Sequence, residues 1–234
     1  MIYISTHKDF TLPFKKETID NLKQDLTIID GGDGVQECKN LYPINVIHET
    51  ELNNDIYYKH DIYGELTRIY YIYKNINIYD TDIIGFIQYR RIFDDDLLLN
   101  HKRLMNDYDL ICQIPYQQYG IFTDDGGYSN RYLERCIKLI AKNIPEYKEY
   151  IDILYKDSKM ICHNMFIMHK IDFIKYCDFL FGALDMFAKE INIDTYKFSR
   201  IKELSIIAER ISHLFFIKHF NPNKIYYAPI LVLR

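Results

Sequence analysis

Two adjacent arginines follow a run of apolar residues near the middle of the chain. The sequence IIGFIQYRRIF occupies positions 83–93. Uninterrupted apolar runs are typical of strands that are buried on both faces of a sheet. In open α/β sheets, ligands bind beyond the carboxyl ends of such strands, and guanidinium groups bind phosphate through a planar fork of donors. We therefore expect Tyr89, Arg90 and Arg91 to line a site for an anion such as a diphosphate.

Acidic residues come directly after the arginines. Asp94 and Asp96 form an Asp-x-Asp pattern, and similar pairs occur at 80–82 and 124–125. Carboxylates with this spacing at a strand end can hold Mg²⁺ or Mn²⁺ against a diphosphate. The alternative is that they form surface ion pairs with Arg90 and Arg91. Asp94 and Asp96 are the best-placed metal candidates, and the sequence leaves metal dependence open.

Polar residues at two other predicted strands are candidates for ligand binding. Thr6, His7 and Lys8 follow the apolar start of the chain, where nucleotides often dock in open α/β folds; a plain polar turn is the alternative. His163 and Asn164 interrupt an apolar segment, and buried polar groups need hydrogen-bond partners. Either sugar hydroxyls or a polar network within the core would supply those partners.

Glu209 is a candidate general base. It lies among apolar residues in a helical pattern, and burial there would raise the pKa of its carboxyl group towards neutrality. The alternative is an exposed ion pair with the neighbouring Arg210.

The composition is that of an ordinary globular protein and disfavours several classes. The 234 residues carry a net charge of −4, with 48% hydrophobic and 26% charged residues. The length fits one domain over residues 1–234, and the lack of a basic stripe argues against a nucleic-acid partner. Five scattered cysteines form no CxxC pair, which favours the reducing cytoplasm. The sequence shows no signal peptide, no apolar run of ~18 residues and none of the common nucleotide, zinc or hydrolase motifs.

Alternating strand-like and helical patterns predict an α/β protein. We expect strands at 2–5, 82–87, 109–114, 160–168 and 224–233, and helices at 65–75, 97–106, 131–142, 146–155, 172–191 and 201–219. The segment 20–55 is predicted to be irregular and 116–130 to be a loop, because both contain Asp-Gly turn signals. This alternation indicates a mixed, mostly parallel sheet flanked by helices.

Several motifs, in this order along the chain, resemble those of the DUF4422 glycosyltransferases of bacterial capsule and O-antigen clusters. They are THK at 6–8, ELT at 65–67, YKN at 73–75, IGFIQYRRIF at 84–93, PEY at 145–147, NMFIM at 164–168 and AER at 208–210. The central motif and NMFIM are the most specific. The chain departs from the family in having Tyr71 and Tyr73 where tryptophans are usual, and in having no R-x-x-G before Ala208.

The resemblance implies a GT-A-like fold and a cytoplasmic enzyme, with peripheral contact at the inner face of the cell membrane. It would move a hexose, such as galactofuranose or galactopyranose, from a UDP-sugar to a growing capsular or lipopolysaccharide glycan. The acceptor would be either lipid-linked or an oligosaccharide. Arg90 and Arg91 would wholly or partly replace a metal in stabilising the departing UDP, and Glu209 would deprotonate the attacking hydroxyl. The nucleotide-sugar site would consist of Thr6, His7, Lys8, Tyr89, Arg90, Arg91, His163 and Asn164.

Two other functions fit the same residues. A non-catalytic carbohydrate-binding or scaffold protein of a polysaccharide assembly complex would use a cleft lined by some of the 22 tyrosines and would need no base. A metal-dependent phosphoester hydrolase would use the acidic pairs.

Overall fold

The structure, a computed structural model, describes residues 1–6, 12–30, 44–48, 60–78, 80–117, 128–156, 159–192 and 203–233. Within these ranges the strands are β1 (Ile2–Thr6), β2 (Leu26–Asp30), β3 (Asn45–His48), β4 (Ile83–Gln88), β5 (Arg91–Ile92), β6 (Leu110–Gln113), β7 (Tyr116–Gln117), β8 (Lys159–Met160), β9 (Phe166–His169), β10 (Ile225–Ala228) and β11 (Leu231–Val232). The α-helices are α1 (Lys16–Leu22), α2 (His60–Tyr63), α3 (Leu66–Lys74), α4 (Asp95–Asp107), α5 (Tyr128–Asn143), α6 (Lys148–Lys156), α7 (Lys170–Ile191) and α8 (Glu203–His219).

The main sheet has β1 near its centre. The strand order is β3–β2–β1–β4–β9–β6–β10, with β5 added beside β4 and β11 beside β5. β1 is parallel to β2 and β4, while β9 is antiparallel to both β4 and β6. The carboxyl ends of β1, β4 and β6 therefore lie at one edge of the sheet. The predicted mixed, mostly parallel sheet with flanking helices is confirmed.

The central strands are apolar throughout because both faces of the sheet are covered. On one face, Tyr3 and Phe86 belong to a core with α3, α5, α6, α7 and α8. On the other face, Ile4 and Ile87 pack with residues of α1 and α4. Successive residues of β1 thus point into two different cores, which is why its sequence lacks the alternation of a half-exposed strand.

Three segments differ from the prediction. The stretch 20–55 was predicted to be irregular, but it contains β2 and β3, because the short apolar run at 26–29 pairs in register with β1. The single strand predicted at 160–168 is wrong, since β8 and β9 are separated by a turn at 161–165. The strand predicted at 224–233 is interrupted at Pro229, which has no N–H to donate to a ladder. Of the loop predicted at 116–130, residues 118–127 lie outside the described part.

No helix in the described ranges is long and apolar enough to span a membrane.

Candidate functional site

The chain connections change direction at the carboxyl ends of β1 and β4. From β1 the chain proceeds outwards to β2 and β3, and it returns on the other side of β1 as β4. Connections that diverge in this way leave a crevice between the two strand ends, where ligands bind in open α/β sheets. The Tyr89 N–H donates to the Ser5 carbonyl oxygen at 2.9 Å. The two strand ends are therefore held together at the floor of that crevice.

Gln88, the last residue of β4, is the centre of a polar network. Its Nε2 donates to Glu65 Oε2 at 2.7 Å and to the carbonyl oxygen of His163 at 2.8 Å. Its Oε1 accepts a hydrogen bond from Arg91 Nη1 at 3.0 Å. Because both partners of Nε2 only accept and the partner of Oε1 only donates, the partners determine the orientation of the amide. Gln88 thus joins three separate segments of the chain.

Glu65, which precedes α3, is held by two amides. Asn164 Nδ2 donates to Glu65 Oε1 at 2.8 Å, so each carboxylate oxygen accepts from a different side chain. Within the described part of the chain, the carbonyl oxygen of the Asn164 amide has fewer hydrogen bonds than its nitrogen. Asn164 is 2% exposed, and its buried Oδ1 has no hydrogen-bond partner among the described residues. A buried acceptor of this kind is suited to a hydroxyl group of a ligand.

His163 and Asn164 form a turn with left-handed backbone conformations. Their φ angles are 69° and 49°, and for residues other than glycine such conformations cost about 1 kcal/mol or more each. The hydrogen bonds from Gln88 and Asn164 hold this turn in place. The turn is the physical reason that no continuous strand forms at 160–168. Strain of this kind is concentrated at functional sites.

The His163 side chain is neutral at physiological pH. Burial, together with the positive charges of Arg91 and Arg210, lowers the pKa of its imidazole to about 4. Its ring centroid is 5.3 Å from that of Tyr116 in an edge-to-face contact. A neutral imidazole can donate one hydrogen bond and accept another, which suits contact with hydroxyl groups.

Glu209, on α8, lies beside the same turn. Its side chain is 21% exposed, and burial raises the pKa of its carboxyl group to about 7, with the negative charge of Glu65 acting in the same direction. The charges of Arg210 and Arg91 and a hydrogen bond from the His163 backbone oppose that rise. Arg210 Nη1 is 3.7 Å from Glu209 Oε2. The anticipated ion pair with Arg210 is therefore present, but it is mostly buried rather than exposed.

The two adjacent arginines differ in environment. Arg91 is half-buried and bonded to Gln88, and its charge acts on both His163 and Glu209. Arg90 is exposed, with its guanidinium carbon 5.2 Å from the centroid of the Tyr89 ring. In the described ranges, neither arginine forms an ion pair with the acidic run at 94–96. Arg91 is thus within the polar network, and Arg90 lies at the protein surface.

The acidic run after the arginines begins a helix. Asp94 Oδ1 accepts a hydrogen bond from the Leu97 N–H at 2.8 Å, as an N-cap of α4. Asp95 Oδ2 accepts from Thr18 Oγ1 at 2.7 Å, while Asp96 is exposed. Among the residues that can be described, no group of three or more His, Cys, Asp or Glu side chains is arranged to hold a metal ion. The geometry of Asp94 therefore fits a helix cap better than a metal ligand.

Of the remaining predicted residues, Thr6 lies at the same edge of the sheet as the site, and the acidic pair at 80–82 does not. Thr6 is fully buried at the end of β1, whereas His7 and Lys8 lie outside the described residues. The acidic pair at 80–82 precedes β4, so it lies at the opposite edge of the sheet from Gln88.

Four residues of this site were not among the predicted site residues: Glu65, Arg68, Gln88 and Arg210. Arg68 is 2% exposed, and its Nη1 donates to Ser5 Oγ at 2.5 Å at the end of β1. Glu65 and Gln88 fall inside the recognised motifs, which was the available signal. Arg68 falls in an ordinary helical pattern, where charged residues usually face solvent, so spacing alone gave no sign of its burial.

The fold of the chain is similar to that of a glycosyltransferase of known structure. It is similar to WbbM, described as a bifunctional glycosyltransferase in its apo form, with 20% sequence identity, a TM-score of 0.74 and coverage of 99% of this chain. The chain spans 45% of the length of WbbM. This likeness establishes the GT-A-like architecture.

The chain belongs to the family described as "Domain of unknown function (DUF4422)", which it matches over residues 1–220. Glucosyl-3-phosphoglycerate synthase from Mycobacterium tuberculosis, in complexes with Mn²⁺ and UDP or UDP-glucose, is a weaker likeness. Its TM-scores are 0.33 and 0.38 and its identities 12% and 10%, with coverage of 82% and 100% of this chain and 67% and 72% of the synthase. No curated protein matches the sequence.

Proposed function

We propose that the protein is a glycosyltransferase that takes its sugar from a UDP-sugar and binds the donor at the carboxyl ends of β1 and β4. The observation that carries the proposal is the convergence, at a topological switch point, of the Arg91 guanidinium with the Glu209 carboxyl group, whose pKa is about 7. An anion stabiliser beside a base is suited to sugar transfer from a diphosphate with inversion of configuration.

The departing diphosphate accumulates negative charge as the bond to the sugar breaks. In this proposal Arg91, oriented by Gln88, stabilises that charge, and Arg90 contributes from the mouth of the site. A cation that is positioned before the reaction needs no reorganisation during it, and removing one such donor typically costs about 3–4 kcal/mol of transition-state stabilisation. The arginines would thereby replace, wholly or partly, the Mg²⁺ or Mn²⁺ of related chemistry.

Glu209 would act as the general base if the reaction inverts the anomeric configuration. It takes the proton of the acceptor hydroxyl, the oxygen forms a bond to the anomeric carbon, and the electron pair of the breaking carbon–oxygen bond leaves with UDP. A carboxylate with a pKa near 7 is a stronger base than an ordinary glutamate and is still ionised at neutral pH to a large extent. His163 and Asn164 would contact hydroxyls of the donor sugar, with Asn164 Oδ1 as an acceptor.

The domain bounds, the nucleotide contacts, the donor sugar, the acceptor and the location are proposed from the resemblance to the family. We propose residues 1–234 as one catalytic domain, with Thr6, His7, Lys8 and Tyr89 around the nucleotide. The donor sugar would be a hexose such as galactofuranose or galactopyranose, and the acceptor a capsular or lipopolysaccharide glycan, lipid-linked or free. Such an enzyme would work in the cytoplasm, in peripheral contact with the membrane.

A thermal-shift assay with a panel of UDP-sugars, in the presence of either Mn²⁺ or EDTA, tests the proposal. We expect UDP and at least one UDP-sugar to raise the melting temperature in EDTA, and that sugar to be released or transferred over time. Stabilisation by Mn²⁺ alone would favour a phosphoester hydrolase instead. Stabilisation by a UDP-sugar with no release or transfer, and with the same affinity in Glu209→Gln, would favour a non-catalytic binding protein.

A further inference from the structure

Two carboxylates from different segments of the chain contact the His163–Asn164 turn. Glu65 reaches it from the start of α3, through the Asn164 side chain and through Gln88, which holds the His163 carbonyl. Glu209 reaches it from α8 and accepts a hydrogen bond from the His163 backbone. Each residue of the turn therefore donates a hydrogen bond to a different acid, Asn164 to Glu65 and His163 to Glu209.

We propose that Glu65 is a positioning residue, which fixes the His163–Asn164 turn through its two amide partners and acts on Glu209 through its negative charge. The inference rests on the proposed function, in which Glu209 is the base. It assigns to Glu65 no contact with the reacting atoms.

The contacts of Glu65 restrain its side chain. Its two oxygens accept from Asn164 Nδ2 at 2.8 Å and Gln88 Nε2 at 2.7 Å. Both donors are themselves restrained, because Gln88 ends a central strand and Asn164 is almost fully buried. A charge held in this way has a defined distance to its neighbours, so its field on Glu209 does not average out through side-chain motion.

Among the described residues, Glu65 is the negative group that acts on Glu209. The other groups are Arg91 on β5, Arg210 on α8 itself and the His163 backbone in the turn. The neutral Tyr176 hydroxyl of α7, bonded to Ser212 Oγ at 2.8 Å, is also within the fields of both carboxylates. Burial is the largest cause of the raised pKa of Glu209, and the charge of Glu65 adds to it, while the two arginines favour the ionised form; together these effects keep that pKa at about 7.

Direct titration of Glu209 tests this role in the ligand-free protein. The side-chain carboxyl carbons are followed by ¹³C NMR against pH in the wild type and in Glu65→Gln, and the Glu209 signal is assigned by its loss in Glu209→Gln. Because the negative charge is removed, we expect the Glu209 midpoint in Glu65→Gln to fall by about one pH unit. The acid limb of kcat/KM should move in the same direction by the same amount.

Asn164→Gly is the matched control. It removes the Asn164–Glu65 hydrogen bond but keeps the charge of Glu65, and glycine adopts the left-handed backbone without strain. Its Glu209 midpoint should stay close to that of the wild type. If Glu65→Gln does not fold, Glu65→Asp retains both acceptor oxygens and withdraws the charge by one methylene, and the midpoint should fall by a smaller amount.

An unchanged Glu209 midpoint in the folded Glu65 variants would overturn the inference, as would an equal fall in Asn164→Gly. These outcomes can be distinguished from a failure of the proposed function. If no UDP-sugar binds or reacts but the midpoint still moves, the proposed function fails, while the electrostatic effect of Glu65 on Glu209 is demonstrated.

Discussion

Glu209 occupies surroundings that oppose its own charge. Burial and Glu65 raise the pKa of its carboxyl group to about 7, although Arg210 and Arg91 lie close enough to act in the opposite sense. Above pH 7 this arrangement lowers stability, because the ionised carboxylate is less favourable in its buried surroundings than in water. Residues whose pKa is shifted by burial and a specific charged neighbour, in a crevice, are characteristic of active sites.

As the pH rises and Glu209 ionises, the stability of the protein should fall and its turnover should rise. Because the folded-state pKa lies above the ordinary value of 4.5, the protonated form favours folding. That contribution is fully present below pH 4.5 and is lost as the pH rises through 7. Turnover requires the ionised base, so kcat/KM should rise over the same range. Melting temperatures and initial rates between pH 5 and pH 8 check both statements.

Glu209→Gln provides the comparison for this prediction. It should lose most of the turnover while its melting temperature depends less on pH than that of the wild type, and at pH 8 it should be at least as stable. A variant with near-normal turnover, or with an unchanged pH dependence of stability, would contradict the assigned role.

The motifs located part of this residue-level site. Arg91, His163, Asn164 and Glu209 were named from the sequence, and the structure brings them into one network. The sequence could not separate Arg91 from Arg90, because adjacent residues of the same type carry the same motif signal. Only the fold shows that one guanidinium reaches Gln88 and the other lies at the surface.

At the scale of elements, β4 is held closely between its neighbours at Gly85. A Cβ at this position would lie 3.0 Å from Ile2 Cγ1 on β1 and 3.2 Å from Ile167 Cγ1 on β9. Both neighbouring side chains are fully buried, so neither can move into solvent. The glycine thus permits the close approach of the strands that carry Ser5 and Gln88 to the crevice.

Gly85→Ala should destabilise the protein by about 1–3 kcal/mol, because added volume in a packed core forces its neighbours to shift. Gly182→Ala is the matched control, since a Cβ there meets nothing within 4 Å in α7. That exchange should stabilise by up to about 1 kcal/mol through helix propensity. Urea denaturation of both variants gives the comparison, and equal effects of the two exchanges would show that the packing argument is wrong.

The sequence was most informative for long elements and least for short ones. The helix patterns at 172–191 and 201–219 correspond to α7 and α8 within two residues. By contrast, β2 and β3 escaped detection, because five- and four-residue strands are recognisable only once β1 is there to pair with them. The left-handed turn at His163 and Asn164 was hidden in an apolar run, since its conformation depends on partners that are distant in sequence.

At the scale of the whole molecule, the part of the chain that the structure describes offers two regions, at opposite edges of the sheet, that could receive a ligand. A cavity of about 990 Å³ lies at the amino ends of β1 and β4, lined by residues of mixed charge that include Asp25, Lys102 and Arg103. Lys102 Nζ is paired with Asp25 Oδ2 at 2.7 Å. We place the donor at the other edge, because the switch point, Arg91 and Glu209 are all there, and size alone does not make a cavity chemically competent.

Calorimetric titration of UDP into three proteins tests this placement most directly. The wild type is compared with Arg91→Ala at the carboxyl edge and with Arg103→Ala at the amino edge, after circular dichroism has shown that all three are folded. Loss of a charge-assisted contact to phosphate should weaken UDP binding to Arg91→Ala by about 10- to 100-fold, while Arg103→Ala should bind like the wild type. Equal affinities of the wild type and Arg91→Ala, or a loss confined to Arg103→Ala, would contradict the placement of the diphosphate at Arg91.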